Sequence, residues 1–156
     1  MIRPATRDDA PAIAALEVRA WRRAYVDLVA EEDMPTVADR ETGWRQEPLD
    51  GASVWDQDGR VVGVVQTGAR EDEPGVGALL RLYVDPAAQG AGIGAALHDH
   101  AVAQLTAAGQ ATATLWVFTA DGHAREFFAA RGWAPDGGRG GRAGVSELRY
   151  RRTLRG

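Results

Sequence analysis

The sequence predicts one α/β domain, residues 1–156, with a mixed sheet of six to seven strands flanked by about four helices. Three observations predict it. Hydrophobic periodicity alternates between that of a strand and that of a helix, in the order strand, helix, helix, three strands, helix, strand, helix, strand, with one or two further short strands near Trp133. Residues 77–84 run almost wholly apolar, as a central strand covered on both faces does. Glycine or proline stands at most of the switches, and 156 residues suffice for one independent core.

Residues 2–5 can form the first strand, after which Thr6 and Asp8 supply capping oxygens for a helix entered near Asp9. Ile13, Leu16, Ala20, Trp21, Ala24 and Leu28 recur at three- and four-residue steps and give that helix one apolar stripe. A second, shorter helix follows Pro35, with Val37, Ala38, Glu41 and Trp44 loosely periodic. From Ala52 the period becomes that of a strand: Ser53, Val54 and Trp55, an Asp58-Gly59 turn and the run 60–67 make a hairpin. A charged loop over 70–75 leads into the apolar strand 77–84, which Pro86 stops because proline has no N–H to donate. Ile93, Leu97, Ala101 and Leu105 lie four apart on a helix over 92–108 that Gly109 ends. Residues 111–118 read as a strand, 122–130 as a helix closed by Gly132, and 145–154 as the last strand. The segment 137–144 holds five glycines in eight residues and is expected to be a mobile loop. Trp55, Trp116 and Trp133 are assigned to the core.

Net charge is −4, so no broad basic surface exists to neutralise phosphates, and nucleic acid is excluded as a partner. Arg149, Arg151, Arg152 and Arg155 alternate with Leu148, Tyr150 and Leu154 as the wet face of a strand does. The absence of cysteine removes disulfides, thiolate metal sites and a cysteine nucleophile, and makes the cytoplasm the natural compartment. Residues 1–9 lack the apolar heart of a signal peptide and no run is long enough for a membrane span, so no membrane partner is expected. His98 and His100 stand two apart on a helix and cannot share a face, and His123 reads as a surface residue, so no metal is expected.

The most informative stretch joins the apolar strand to the strongest helix: Leu82, Tyr83, Val84, Asp85, Pro86, Ala87, Ala88, Gln89, Gly90, Ala91, Gly92, Ile93, Gly94, Ala95. A helix start carries unpaired N–H groups at a positive dipole end, so it can hold phosphate oxygens without a basic side chain. Gly90, Gly92 and Gly94 let the chain turn sharply and let a diphosphate approach several amides at once. Two other readings stand beside this one. The glycines can serve turning alone, and Gly90, Gly92 and Ala95 fit the G-x-G-x-x-A fingerprint of an NAD(P)-binding enzyme, with Asp121 as the ribose carboxylate.

Gln89, Gly90, Ala91, Gly92, Ile93 and Gly94 resemble the Q/R-x-x-G-x-G/A signature of the GNAT superfamily of N-acyltransferases, with residues 82–86 similar to its preceding strand and stop. Asp121, Ala124, Phe127, Phe128, Gly132 and Trp133 are similar to that family's N-x-x-A-x-x-F-Y followed by a glycine and an aromatic, departing at Asp121 and Phe128. Ala20, Trp21, Arg22, Ala24 and Tyr25, with Glu147, Arg149, Tyr150 and Arg152, look like one bacterial branch, so the resemblance spans nearly the whole chain. It implies a mostly antiparallel sheet and acetyl-CoA or coenzyme A as cofactor. The amides of Leu82 and Val84 would pair with the pantetheine arm like an added strand, those of Gln89, Gly90, Ala91, Gly92, Ile93, Gly94 and Ala95 would take the diphosphate, and Tyr83, Asp121 and Phe128 would lie beside the cofactor.

The reaction so implied is direct attack of a neutral amine on the thioester carbonyl in a ternary complex, with a strand N–H such as that of Val84 stabilising the oxyanion. A noncatalytic CoA-binding regulatory module is the alternative within the same resemblance. A base must take the amine proton, and between Gly75 and Val84 the only charged residue is Arg81. Glu71, Asp72, Glu73 and Glu147 are left, all of types that usually sit solvated at the surface. The family's thiolate-protonating tyrosine falls on Phe128, which has no proton to give, so Tyr83 or water would substitute. Trp21 and Tyr25, one turn apart, wall an acceptor pocket or belong to the core stripe. The acceptor is a small-molecule or peptide amine, and edge-strand pairing would give a homodimer.

Overall fold

The computed structural model describes residues 1–142 and 144–154; Arg155 lies outside the described residues. The strands are β1 (Ile2–Pro4), β2 (Ala52–Gln57), β3 (Arg60–Ala69), β4 (Val76–Val84), β5 (Thr112–Phe118), β6 (Ala134–Arg142) and β7 (Val145–Thr153). The helices are α1 (Ala10–Tyr25), α2 (Val37–Gln46), α3 (Ile93–Ala107) and α4 (Gly122–Ala129). One seven-stranded sheet runs β1-β2-β3-β4-β5-β7-β6, which puts the apolar strand β4 at its centre. Every pair of neighbours is antiparallel except β4 and β5. The doubly wound parallel order that a dinucleotide fingerprint requires is therefore absent among the described residues.

Helices α1 and α2 cover one face, burying Ile13, Leu16 and Trp44 against Val54 and Val64. Helices α3 and α4 cover the other, where Leu97, Leu105 and Phe128 meet Val65, Leu115 and Tyr150. The close seating of α3 requires glycine in the strands beneath it. A Cβ at Gly63 would stand 2.7 Å from a Leu97 methyl, and one at Gly77 2.5 Å from a Leu105 methyl. On the opposite face the buried Glu17 carboxylate accepts from Trp44 Nε1 at 2.8 Å and from Arg40 Nε at 3.1 Å, clasping α1 to α2. Its burial is matched by partners, as a charge inside a protein demands.

Four expectations are corrected. The residue that organises the entry to α1 is Asp9, not Asp8: its carboxylate accepts from the Thr6 amide at 2.8 Å and from both terminal nitrogens of Arg3. The apolar stripe of α1 stops at Trp21, since Ala24 is exposed and the helix ends at Tyr25, leaving Leu28 beyond it and exposed. Trp116 is 47% exposed rather than in the core; its neighbours on that face, Gly140 and the Arg149 guanidinium 5.9 Å from its ring, do not cover it. The described part of the glycine-rich segment forms most of strand β6 rather than a mobile loop, pairing Arg139 to Leu148 through Arg142 to Val145. The unpaired edge of β7 outweighs the low strand preference of glycine, and Asp136 fixes the pairing by accepting from Arg149 at 2.8 Å and Arg151 at 3.1 Å.

Candidate active site

The loop from β4 to α3 is held at its start by Asp85. This buried carboxylate accepts from the Ala87 amide at 3.1 Å and pairs with Arg19 of α1 at 2.6 Å. Burial alone would raise its pKa; Arg19 and the Ala87 N–H outweigh that and leave it below the usual carboxylate range. Beyond it the backbone enters the left-handed region twice, at Gly90 (φ 87°) and Gly92 (φ 79°), conformations that other residues adopt only at a cost. Gly92 is the N-cap of α3, and the first helical bond runs from the Ala96 amide to the Gly92 carbonyl. None of the amides of Gln89, Gly90, Ala91, Gly92, Ile93, Gly94 or Ala95 donates to a partner among the described residues. Nothing lies within 4 Å of the place where a Cβ would stand at Gly90 or Gly92, and Gln89, Gly90, Gly92, Ile93, Gly94 and Ala95 line a cleft.

The neighbouring strands part beside that loop. β4 pairs with β5 only over Val76, Ala78 and the residue between them, and the two diverge from Leu79 onward. A bulge at Leu80 opposite Gln66 and Thr67 accompanies the divergence. The Asp85 amide donates to Val62 of β3 at 2.8 Å. Amides two apart in a strand point the same way, so the Tyr83 N–H also faces β3 and those of Leu82 and Val84 face the gap.

Two cavities meet in the gap. A cleft of about 390 Å³ on the α3 and α4 side is lined by Leu82, Val84, Gln89, Gly90, Gly92, Ile93, Gly94 and Ala95, with His123, Phe127, Phe128 and Arg131 opposite. A smaller cavity of about 130 Å³ on the α1 side is walled by Trp21, Tyr25, Tyr83 and Phe118 and bears Arg142 and Glu147. Leu82, Ala124 and Phe128 line both. Trp21, Tyr25 and Phe118 form a triangle of edge-to-face contacts, with ring centroids 4.8, 5.6 and 4.7 Å apart. Trp21 Nε1 donates to the Tyr83 hydroxyl at 3.3 Å.

Electrostatics divides the small cavity. Burial raises the pKa of Glu147 above the ordinary carboxylate value, with the Arg142 charge pulling the other way. Burial also raises the phenols of Tyr83 and Tyr25, and for Tyr25 the Asp121 carboxylate adds to the effect. Asp121 is the N-cap of α4, accepting from the Ala124 amide at 3.0 Å, and lines neither cavity. Of the acids before β4, Asp72 pairs with Arg70, Glu73 pairs with Arg151, Glu71 is exposed, and none lines the gap. Ala91 flanks the cradle on the side away from the cleft. Arg142, Phe118, Arg131 and His123 were not marked as site residues by the sequence. Arg142 was hidden inside the glycine-rich run. Phe118 stands two residues along one strand from Trp116 and lines the same small cavity, but with Trp116 assigned to the core no signal in the sequence marked it.

The remaining histidines are structural. His98 is buried, its Nε2 accepting from Trp133 Nε1 at 3.0 Å and its Nδ1 3.0 Å from the Asp99 carboxylate, which fixes the proton on Nδ1. His100 turns the other way, 3.1 Å from the Ser53 hydroxyl.

A family model described as "Acetyltransferase (GNAT) family" matches residues 12–133, a span that includes the cradle and α4. The chain belongs to the GNAT acetyltransferase family. Solved structures named as acetyltransferases share its fold. The PaiA N-acetyltransferase from Thermoplasma acidophilum, in complex with coenzyme A, superposes with a TM-score of 0.82 at 16% identity over 98% of each chain. A ribosomal-protein-alanine N-acetyltransferase from Brucella melitensis gives 0.76 at 21% identity, over 98% of this chain and 99% of that one. YncA from Salmonella typhimurium, a putative acetyltransferase with its cofactor acetyl-CoA, gives 0.75 at 18% identity, over 100% and 94%. No curated protein sequence matches the chain. Among the described residues no helix is long and apolar enough to cross a membrane.

Proposed function

We propose that this GNAT protein transfers an acetyl group from acetyl-CoA to an amine, the two substrates meeting where the cavities join. The observation that carries the reading is the set of open, unpartnered amides from Gln89 to Ala95 at the head of α3, beside a strand whose Leu82 and Val84 amides face an empty gap. These donors suit a diphosphate and an amide-bearing arm respectively. Arg131, stacked 3.7 Å over Phe127 at the cleft wall, adds a cation for the nucleotide's phosphates. Acetyl-CoA, when bound, supplies an activated acyl group and a thiol leaving group.

The chain's own residues position and deprotonate the amine. Glu147 is the base: it lines the acceptor cavity, and its raised pKa brings it closer to the proton it must take. Leu82 lines both cavities whereas Val84 lines only the cleft, which favours the Leu82 amide as donor to the acyl carbonyl oxygen. Phe128 also lines both and excludes water without offering a proton, so the thiolate takes its proton from Tyr83 or from solvent.

Thermal shift with coenzyme A, acetyl-CoA, NAD and NADP tests the cofactor. A ligand at 100 times its dissociation constant adds about 2.7 kcal/mol of stability. A shift with the CoA species alone is expected, and no shift with either would end the proposal. Phe128 also favours a second reading, a CoA-binding module without turnover. Release of free thiol in the presence of an amine panel separates the enzyme from the binder.

A further inference from the structure

If the small cavity receives the acetyl acceptor, as the acetyl-transfer reading requires, its walls also restrict the class of that acceptor. Arg142 and Glu147 bring opposite charges to one small space, and neither has an ion-pair partner among the described residues. The other nearby arginines are engaged: Arg81 lies over Trp44 and reaches Glu47 at 3.4 Å, and Arg149 holds Asp136 at 2.8 Å. The Arg142 guanidinium instead lies 5.2 Å over the Trp21 ring, in the cavity wall.

The ladder makes the two charged residues neighbours. Arg142 pairs with Val145 and Gly140 with Glu147, so Arg142 and Glu147 are diagonal neighbours on one face of β6 and β7. Such neighbours stand about 7–8 Å apart along the backbone, and both line one cavity of about 130 Å³, so a small molecule with two charged groups can meet both. Trp21, Tyr25 and Phe118 close the sides with apolar surface, which strengthens both charges by excluding water.

We infer, resting on that reading, that the acceptor is a small zwitterion, a free amino acid, whose carboxylate is received by Arg142 and whose ammonium is received by Glu147. The ammonium gives one proton to the Glu147 carboxylate. The freed lone pair on nitrogen forms the C–N bond to the acyl carbon, the C–S bond breaks, and its electron pair leaves with sulfur. The second nitrogen proton is lost through solvent, sulfur takes a proton to become the free thiol, and Glu147 returns its own to water. A cationic polyamine would meet Arg142 as a like charge, and a peptide N-terminus would bring an uncharged amide where Arg142 awaits an anion.

The test is thiol release by the full chain with acetyl-CoA and a matched panel: free amino acids, the same compounds as C-terminal amides, and spermidine. Free acids should exceed their amides in kcat/KM by on the order of tenfold, the worth of one charge-assisted contact. Arg142→Gln should erase that preference by raising KM for the acids, while its thermal shift with coenzyme A reports that the variant is folded and binds cofactor. Preference for amides or for spermidine, an equal loss on acids and amides in Arg142→Gln, or no acetylated acid from a protein that binds coenzyme A overturns the assignment and leaves the cofactor reading standing. Absence of any coenzyme A shift in the unaltered protein overturns both.

Discussion

Glu147 concentrates the chemistry proposed for the small cavity, and its environment sets a pH signature. A carboxyl whose pKa lies above the ordinary value of 4.5 is neutral, and useless as a base, over a wider acidic range than a free one. The acid limb of kcat should therefore fall above pH 4.5, and Glu147→Gln should lower kcat by about 10²-fold or more and abolish that limb, as a pH–rate profile would record. Phe128→Tyr places a phenol where both cavities meet and should raise kcat; an unchanged or lower rate across the pH range would count against proton supply as a constraint. The sequence, with the family resemblance, named Glu147, Tyr83, Trp21 and Tyr25 as candidates, and all four line the small cavity. It offered Glu147 beside Glu71, Asp72 and Glu73 with no geometry to rank them; of these only Glu147 lines the small cavity. What separates them is burial and facing, which a one-dimensional chain does not carry.

The turn from β4 into α3 was legible from Pro86 and the glycines, which impose a local geometry that no distant contact overrides; the capping role of Asp85 came only with the structure. Gly92→Ala would force an L side chain into the left-handed region at a cost of about 1–2 kcal/mol. Unfolding free energy should fall by that amount, while the dissociation constant for coenzyme A, measured by calorimetry, should rise because Gly92 lines the cleft and shapes the turn that presents the amides. Strand β6 was illegible for the converse reason. Its glycines show no inward and outward alternation, and what makes it a strand is pairing with the edge of β7 and the ion pairs of Asp136 with Arg149 and Arg151, contacts that the pattern of β6 itself does not carry. Arg142 was lost with it. The α1 stripe was read about two turns too long because Ala24 and Leu28 keep the period although both are exposed.

Two faces of one sheet bear the stability of the protein, and the tighter is set by α3. Leu97 is fully buried against Gly63, so Leu97→Ala should cost about 2–5 kcal/mol, readable as a lowered denaturation midpoint with unchanged slope. His98 on the same helix adds a pH dependence. Burial lowers its folded pKa below 6.5, with Asp99 opposing, so the unfolded chain binds the proton more readily. The associated stability is complete above pH 6.5 and is lost as the pH falls beneath it; His98→Gln, which keeps an acceptor for Trp133, should flatten that segment of the melting curve. The Arg19 to Asp85 pair reaches across the molecule in another way. It joins the helix that carries Trp21 to the segment from which the cradle begins, so each substrate's berth has a hand on the other's hinge. Synergy between substrates is then expected, and thermodynamics makes it mutual: whatever the acceptor adds to nucleotide affinity, the nucleotide adds to acceptor affinity. Arg19→Ala, which leaves Arg60 3.6 Å from the Asp85 carboxylate, should weaken that synergy, read as a smaller change in coenzyme A affinity when the acceptor is present.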